Sequence, residues 1–425
     1  MKKLTLDQIA SDPSCMDDYD PNAMSVSQAR QFIAQFLQPV TETETVTVRD
    51  SLRRILAADI VSPCNVPAHN NSAMDGVAFR FTDATKSLKI IGTAFAGRPF
   101  MGKVKTGECV KIMTGAVIPQ GADTVEMQER TTLNSENITL NQPVKLGQHI
   151  RLAGEDLSEN QTVLAQGHKM QPADLGLIAS LGIGEVQVYR PLKVAFFSTG
   201  DELVGVGTPL QAGQIYDSNR YTLFGMLSRL NVQMSDLGNV PDDPELLEKT
   251  LLEASQNNDV VITSGGVSVG DADYMKALLA KHGQVLFWKI NMKPGRPLAY
   301  GKVQANSGKQ SHYFGLPGNP VSAMVTFYQF VQPALQAISG AAYRVVPFFS
   351  VECTESIKKA TGRTEFQRGI LFEEAGAWKV KPLPNQGSGV LSSMSAANCF
   401  IVLDETVASC EAGTIVRVQS LDSFL

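Results

Sequence analysis

Residues fit for chemistry gather in three short polar segments: Ser198-Thr199-Gly200-Asp201-Glu202, residues 263–271, and Pro317-Gly318-Asn319-Pro320. Each follows an apolar, β-forming run (193–197, 259–263 and 313–316), so each reads as the loop that ends a strand. A lone Gly-Gly or Pro-Gly-Asn-Pro is first of all a tight turn. Three such loops on one edge of an open α/β sheet make a pocket, because ligands bind beyond the carboxyl ends of the strands. In Ser264-Gly265-Gly266-Val267-Ser268-Val269-Gly270, backbone N–H groups can approach a ligand with no Cβ in the way, and the following helix start favours an anion. No lysine follows the glycines, which excludes a Walker A loop. Helix capping accounts for Asp271 but not for Asp273. Asp201-Glu202 and Asp242-Asp243 are further acidic pairs, with Asp243 assigned to a helix cap. Carboxylates around a phosphate pocket point to a hard divalent cation, Mg²⁺, bridging to substrate oxygens. Cations come from Lys289, Lys293 and Arg296, in a segment stiffened by Pro294 and Pro297 that runs into another strand, 298–301. A solvated hairpin would carry lysines too; here the sheet context turns them toward the pocket. Acids and bases around glycine loops describe a site for a phosphoanhydride and a metal.

The elements that must position these loops alternate between strand and helix over residues 188–342, the pattern of a parallel, doubly wound sheet. Residues 218–230 read as a helix with Tyr221, Phe224, Leu227 and Leu230 inward, and Asp243-Pro244-Glu245 starts another. A helix is expected from about Ala272 to Lys281, and a long one after Pro320 through Val331. Upstream, Ser25 and Gln28 form a capping box for a helix whose inner face is Ala29, Phe32, Ile33, Phe36 and Leu37. A second helix is expected around Leu52, Ile55 and Leu56. Residues 63–150, rich in Gly, Thr and Val, read as a β module inserted between helical parts, 23–62 and 151–187. Residues 343–425 alternate as a small β-barrel, and 1–22 read as a mobile leader. The expected fold class is thus multidomain α/β.

Bulk composition narrows the function classes. The 425 residues are 43% hydrophobic, enough for a large core in two to four domains at roughly 100–200 residues each. With a net charge of −5 and no Lys/Arg run longer than a pair, a nucleic-acid footprint is missing, so an anionic ligand must be met by a local pocket. Six scattered cysteines without a CxxC pair argue for reduced thiols, and five histidines form no HxxxH or HExxH. No apolar run approaches the ~18 residues of a membrane span, and Asp7 and Asp12 interrupt any signal-peptide core. The expectation is a soluble, cytoplasmic protein.

Other segments are ambiguous alone: Ser72-Ala73-Met74-Asp75-Gly76, Arg151 with Gly154-Glu155-Asp156, and Gly362-Arg363-Thr364-Glu365-Phe366-Gln367-Arg368-Gly369. Taken together and in order with Met113-Thr114-Gly115-Ala116, Gly121-Ala122-Asp123-Thr124-Val125, the strand-end loops and 289–297, they resemble the molybdopterin molybdenumtransferase family (MoeA and the gephyrin E domain) over residues 22–425. The string SGGVSVGDADY is its most specific part.

The resemblance implies a transferase that inserts molybdenum from molybdate into adenylyl-molybdopterin and releases AMP. It implies Asp75, Asp156, Glu202, Asp242 and Asp273 as the acidic, metal-binding set, and Asp75, Glu202, Asp273, Lys289 and Lys293 as the catalytic one. Thr114, Ser264, Gly265, Gly266, Ser268, Arg296, Pro317, Gly318, Asn319, Arg363 and Ser393 would bind substrate, with the choice between Arg363 and Arg368 left open. It also implies an elongated homodimer, with transient contact to the molybdopterin adenylyltransferase and to molybdoenzyme-maturation proteins. In such a dimer each site combines Asp75 of one chain with Glu202 and Asp273 of the other. Two rivals remain at this level. An adenylyltransferase of the preceding step would need neither residues 22–187 nor the barrel, and a receptor-binding scaffold would not need carboxylates and lysines together.

Overall fold

A computed structural model describes residues 23–266 and 274–424. The chain divides into two compact units, Met1–Glu44 with Tyr189–Leu425, and Thr45–Val188. In the first of these, helix α1 (Val26–Phe36) starts as its sequence predicts. Ser25 Oγ accepts from the Gln28 N–H at 3.2 Å while Gln28 Oε1 accepts from the Ser25 N–H at 2.9 Å. Val26, Ala29, Phe32 and Ile33 are buried, with Phe36 and Leu37 packed at the margin of the same core.

The smaller unit is built on a six-stranded sheet. Its strands β1 (Gly76–Phe79), β2 (Leu88–Ala94), β3 (Glu108–Ile112), β4 (Thr124–Met127), β5 (Thr131–Asn134) and β6 (Asn137–Leu140) lie in the order β4-β1-β3-β2-β6-β5. Helix α2 (Pro172–Ser180) follows, with Pro at its start and Gly182 at φ 74° just beyond its end. The helix expected around Leu52, Ile55 and Leu56 does not form. Arg53 adopts φ 67°, which breaks a right-handed helix, and Ile55 and Leu56 enter antiparallel bridges with Lys169 and Val188.

In the larger unit a second six-stranded sheet carries the strand-end loops. Strands β7 (Lys193–Thr199), β8 (Gln233–Val240), β9 (Val260–Ser264), β10 (Gly283–Lys289), β11 (Met292–Lys293), β12 (Pro297–Gln304) and β13 (Gln310–Leu316) occur here, and all but β11 join it, in the order β8-β7-β9-β13-β12-β10. The first four run parallel; β12 is antiparallel to both neighbours. Alternation along β7 sends Val194 and Phe196 to one face and Ala195 and Phe197 to the other, where separate apolar cores bury them. Burying a Phe of this kind stabilises by about 1.5–3 kcal/mol. Helices α3 (Ser218–Leu227), α4 (Pro244–Asn257) and α5 (Tyr274–His282) cover the sheet; Asp243 caps α4, its carboxylate accepting from the Leu246 N–H at 2.8 Å. On α3 the expected inner face is rotated. Asn219, Leu223, Met226 and Leu227 are buried, whereas Tyr221 and Phe224 are about half exposed, at 48% and 51%. The buried polar start at Asn219 sets the helical phase, and i, i+4, i+7 and i+8 then face inward. After Pro320 the expected long helix is α6 (Pro320–Thr326), a π-helical turn over Phe327–Val331, and α7 (Gln332–Ile338).

The C-terminal part closes as a barrel. Strands β14 (Phe349–Cys353), β15 (Thr364–Glu374), β16 (Ala377–Pro382), β17 (Cys399–Leu403) and β18 (Ile415–Ser420) pair in the order β15-β16-β14-β18-β17, and β17 returns to β15. Helix α8 (Leu391–Ala396) lies between β16 and β17 in the chain. Strand β11 adds to the barrel outside this ring, Lys293 opposite Glu365 on β15.

Candidate active site at the strand ends

The order β8-β7-β9-β13 reverses direction at β7, since the chain goes from β7 first to one neighbour and then across to the other. The crevice between the ends of β7 and β9 is therefore the topological switch point, the place where such sheets bind ligands. Ser264 is buried at the end of β9, and Gly265 turns away at φ 93°. A Cβ on Gly265 would lie 2.6 Å from the Thr199 carbonyl oxygen, so only glycine fits this approach of the two loops. The Gly265 N–H donates to the Leu316 carbonyl at 3.1 Å, tying this turn to the end of β13, next to Pro317, Gly318 and Asn319.

A fourth segment, absent from the sequence-based site, joins these loops. Asn219 Nδ2 donates at 2.7 Å to both Ser264 Oγ and the Gly318 carbonyl. Asp217 Oδ1 accepts from Ser198 Oγ at 2.9 Å and from the Arg220 N–H at 3.2 Å. The available signal was Asp217 as an N-cap before a helix, which predicts the local bond but not Ser198, Ser264 or Gly318.

Acids collect beside the same edge. Asp201 accepts from the Asp242 N–H at 3.1 Å, and the Glu202 carboxylate folds back over Gly200, where a Cβ would sit 2.5 Å from it. Desolvation, with the Asp201 and Glu202 charges, pushes the Asp242 carboxyl above the usual aspartate range. Three carboxyl groups thus feel one another here. On the basic side, the segment after β10 is pinned from several directions. Ile290 N–H donates to Arg296 O at 2.8 Å, Asn291 N–H to Met24 O at 2.8 Å, and Thr364 N–H to Asn291 O at 2.9 Å. Lys293 extends at 59% exposure, with Glu365 Oε1 3.7 Å from its Nζ; Lys289 and Arg296 are half-buried.

The barrel arginines differ sharply. Arg368 is fully buried, its Nε donating to Ser393 Oγ at 3.1 Å and its Nη2 to the carbonyls of Asn385 and Gly387 at 3.2 and 3.0 Å. Burial lowers its pKa to about 10. Ser393 in turn donates to Val390 O at 2.6 Å, so this buried hydroxyl is engaged on both sides. Arg363 is half-buried at the start of β15.

In the smaller unit Asp75 is exposed in the turn before β1. Its Oδ1 accepts from the Thr114 backbone N–H at 2.7 Å and from Thr114 Oγ1 at 2.8 Å, and these bonds hold its carboxyl below the usual range. Asp156 is exposed two residues after Gly154, which turns at φ 76°. The structure thus brings Asp75 and Thr114 together in one unit, and Asp201, Glu202 and Asp242 together in the other. Asp273 and Ser268 lie outside the described residues.

The whole of this architecture has matches among known proteins. Residues 24–182 match the MoeA N-terminal region (domain I and II), 195–337 a probable molybdopterin binding domain, and 350–421 the MoeA C-terminal region (domain IV). A molybdopterin molybdenumtransferase of Haemophilus influenzae is 46% identical over 407 residues, covering 95% of this chain and all of that protein. The chain belongs to the MoeA family. A molybdopterin molybdenumtransferase of a Nostoc species is 34% identical, covering 89% of each chain. The molybdopterin biosynthesis MoeA protein of Pyrococcus horikoshii superposes with a TM-score of 0.80 at 29% identity, covering 94% of this chain and all of that one.

For this MoeA-family chain the acid cluster also answers whether a divalent cation fits. Asp201, Glu202 and Asp242 offer the hard oxygen ligands that Mg²⁺ takes, and their mutual repulsion favours a cation. Among the described residues no three such groups already stand in a metal-binding arrangement, so the fit is one of donor chemistry.

Proposed function

We infer that the chain is a molybdopterin molybdenumtransferase, inserting molybdenum from molybdate into adenylyl-molybdopterin with release of AMP. The observation that carries this reading is the 46% identity to an enzyme of that name over nearly the whole chain. The strand-end cradle supports it in physical terms. Backbone groups of the Gly265-Gly266 turn approach the substrate, and Lys289 and Lys293 bring positive charge to the phosphoanhydride. Asp75, Asp156, Glu202, Asp242 and Asp273 supply carboxylates for Mg²⁺, which when bound neutralises phosphate charge. Arg296, Pro317, Gly318, Asn319 and Arg363 border the substrate. A molybdate oxygen, or water on molybdenum, attacks the phosphorus, and AMP leaves; the protein contributes position and charge, with no covalent intermediate.

The same reading includes a cytoplasmic homodimer in which Asp75 of one chain joins Glu202 and Asp273 of the other. It also includes transient contact with the adenylyltransferase that makes the substrate and with the maturation proteins that take the product. The test is AMP release from adenylyl-molybdopterin. Release that needs both molybdate and a divalent cation, and stops with EDTA, is expected. Full-rate release with EDTA present and molybdate absent overturns the chemistry.

A further inference from the structure

Three buried side-chain oxygens near the carboxyl ends of β7, β8 and β9 accept no hydrogen bond: Asp217 Oδ2, Asn219 Oδ1 and Asn239 Oδ1. Asp217 is 3% exposed and Asn219 8%. Their partner atoms are committed, so the orphan oxygens cannot turn away. Asn219 Nδ2 gives both protons, to Ser264 Oγ and the Gly318 carbonyl. An amide flip would set its oxygen against that carbonyl. Asp217 Oδ1 is held by Ser198 and by the Arg220 N–H. Buried acceptors without donors are uncommon and call for a reason. Here two of them flank the switch point where the loops of Ser264 and Gly318 meet.

Because both atoms only accept, they select the ligand's chemistry. Phosphate and molybdate present acceptors, which a carboxylate repels. Adenine places its one amino donor beside a ring nitrogen that accepts. The pterin ring alone offers two adjacent donors, the 2-amino group and N3–H. We propose that Asp217 and Asn219 form a pterin-recognition floor, with Asp217 Oδ2 and Asn219 Oδ1 accepting from this donor edge. The proposal rests on the reading that molybdopterin binds at these strand ends. Asn219 then has two duties, since the same side chain fixes the two loops beside the substrate.

The test uses the full chain and three probes: pterin, lumazine (which has an oxo group in place of the 2-amino group) and AMP. Binding is read by quenching of pteridine fluorescence and, for AMP, by calorimetry. The wild-type protein should prefer pterin to lumazine by about tenfold or more, as a site built to accept a donor rejects the analogue lacking it. Asp217→Asn keeps the cap and the Ser198 bond but presents an NH₂ where the free oxygen was. It should bind pterin at least about tenfold more weakly, bind lumazine as well or better, and leave AMP affinity and Tm unchanged. Equal wild-type affinity for pterin and lumazine overturns the proposal without any variant. Weakened AMP binding in Asp217→Asn, with pterin unaffected, assigns these atoms to the nucleotide and also overturns it. A wild-type protein that binds neither pterin nor molybdopterin removes the underlying site assignment as well, whereas unchanged pterin binding in the variant removes only this inference.

Discussion

Asp75 and Asp242 are exposed aspartates on turns, one in each unit, and their surroundings move their proton affinities in opposite directions. Two donors from Thr114 converge on Asp75 and keep it ionised. Desolvation and two neighbouring carboxylates raise Asp242. The first is preorganised as an anion by its own unit. The second belongs to a group whose repulsion a bound cation relieves. By linkage, the depressed Asp75 adds stability above the ordinary aspartate range, lost as pH falls through its folded value. The raised Asp242 acts the other way: stability falls as pH rises from the ordinary aspartate range through its folded value.

The largest expected effect tests whether these two regions serve one site. Asp75→Asn and Glu202→Gln should each lower turnover by about 10²-fold or more, as for lost charge contacts in a transition state. After subunit exchange a mixture of the two should recover about a quarter of wild-type activity, from binomial mixing in a symmetric dimer. A mixture that demonstrably contains heterodimers yet stays inactive breaks the connection.

Next in size is the contrast between buried and extended cations. Arg368→Ala strands the Asn385 and Gly387 carbonyls and Ser393, and should destabilise by roughly 1–3 kcal/mol in denaturant titration. Lys293→Ala, at an exposed side chain, should leave the unfolding midpoint unchanged while lowering AMP release. The reverse pattern would make Lys293 structural.

Thr114→Val removes one of the two bonds to Asp75 and should raise its pKa toward the ordinary value. The acid limb of the pH–rate profile should move upward, with roughly a tenfold loss at neutral pH and recovery in Thr114→Ser. An unmoved acid limb would show that Asp75 ionisation does not control the rate. The smallest effect is thermal. Mg²⁺ should raise Tm at pH 7–8, less so as pH falls toward the Asp242 value, and Asp242→Asn should raise the metal-free Tm by a degree or two while shrinking the Mg²⁺ increment. An increment independent of both would exclude this cluster as the cation's seat.

What the sequence by itself determined are features whose causes lie within a few residues. Ser25 with Gln28 and Asp243 before Pro244 are caps closed over three positions, and the glycine turns ending β7 and β9 declare backbone conformations that other residues adopt only under strain. Alternating apolar runs gave the strands of the sheet because period and burial are one signal. Tertiary structure alone decided which partner each polar group meets. Asn219 reaches Ser264 and Gly318 across 45 and 99 positions. Between Arg363 and Arg368, two arginines of one motif, only packing sends Arg368 into the barrel wall against Ser393, 25 positions away. The outward turn of Tyr221 and Phe224 has the same origin, since a helix with apolar residues on more than one side takes its phase from its neighbours. Local signals fix backbone shape; long-range hydrogen bonds and burial depend on which loops the folded sheet places side by side.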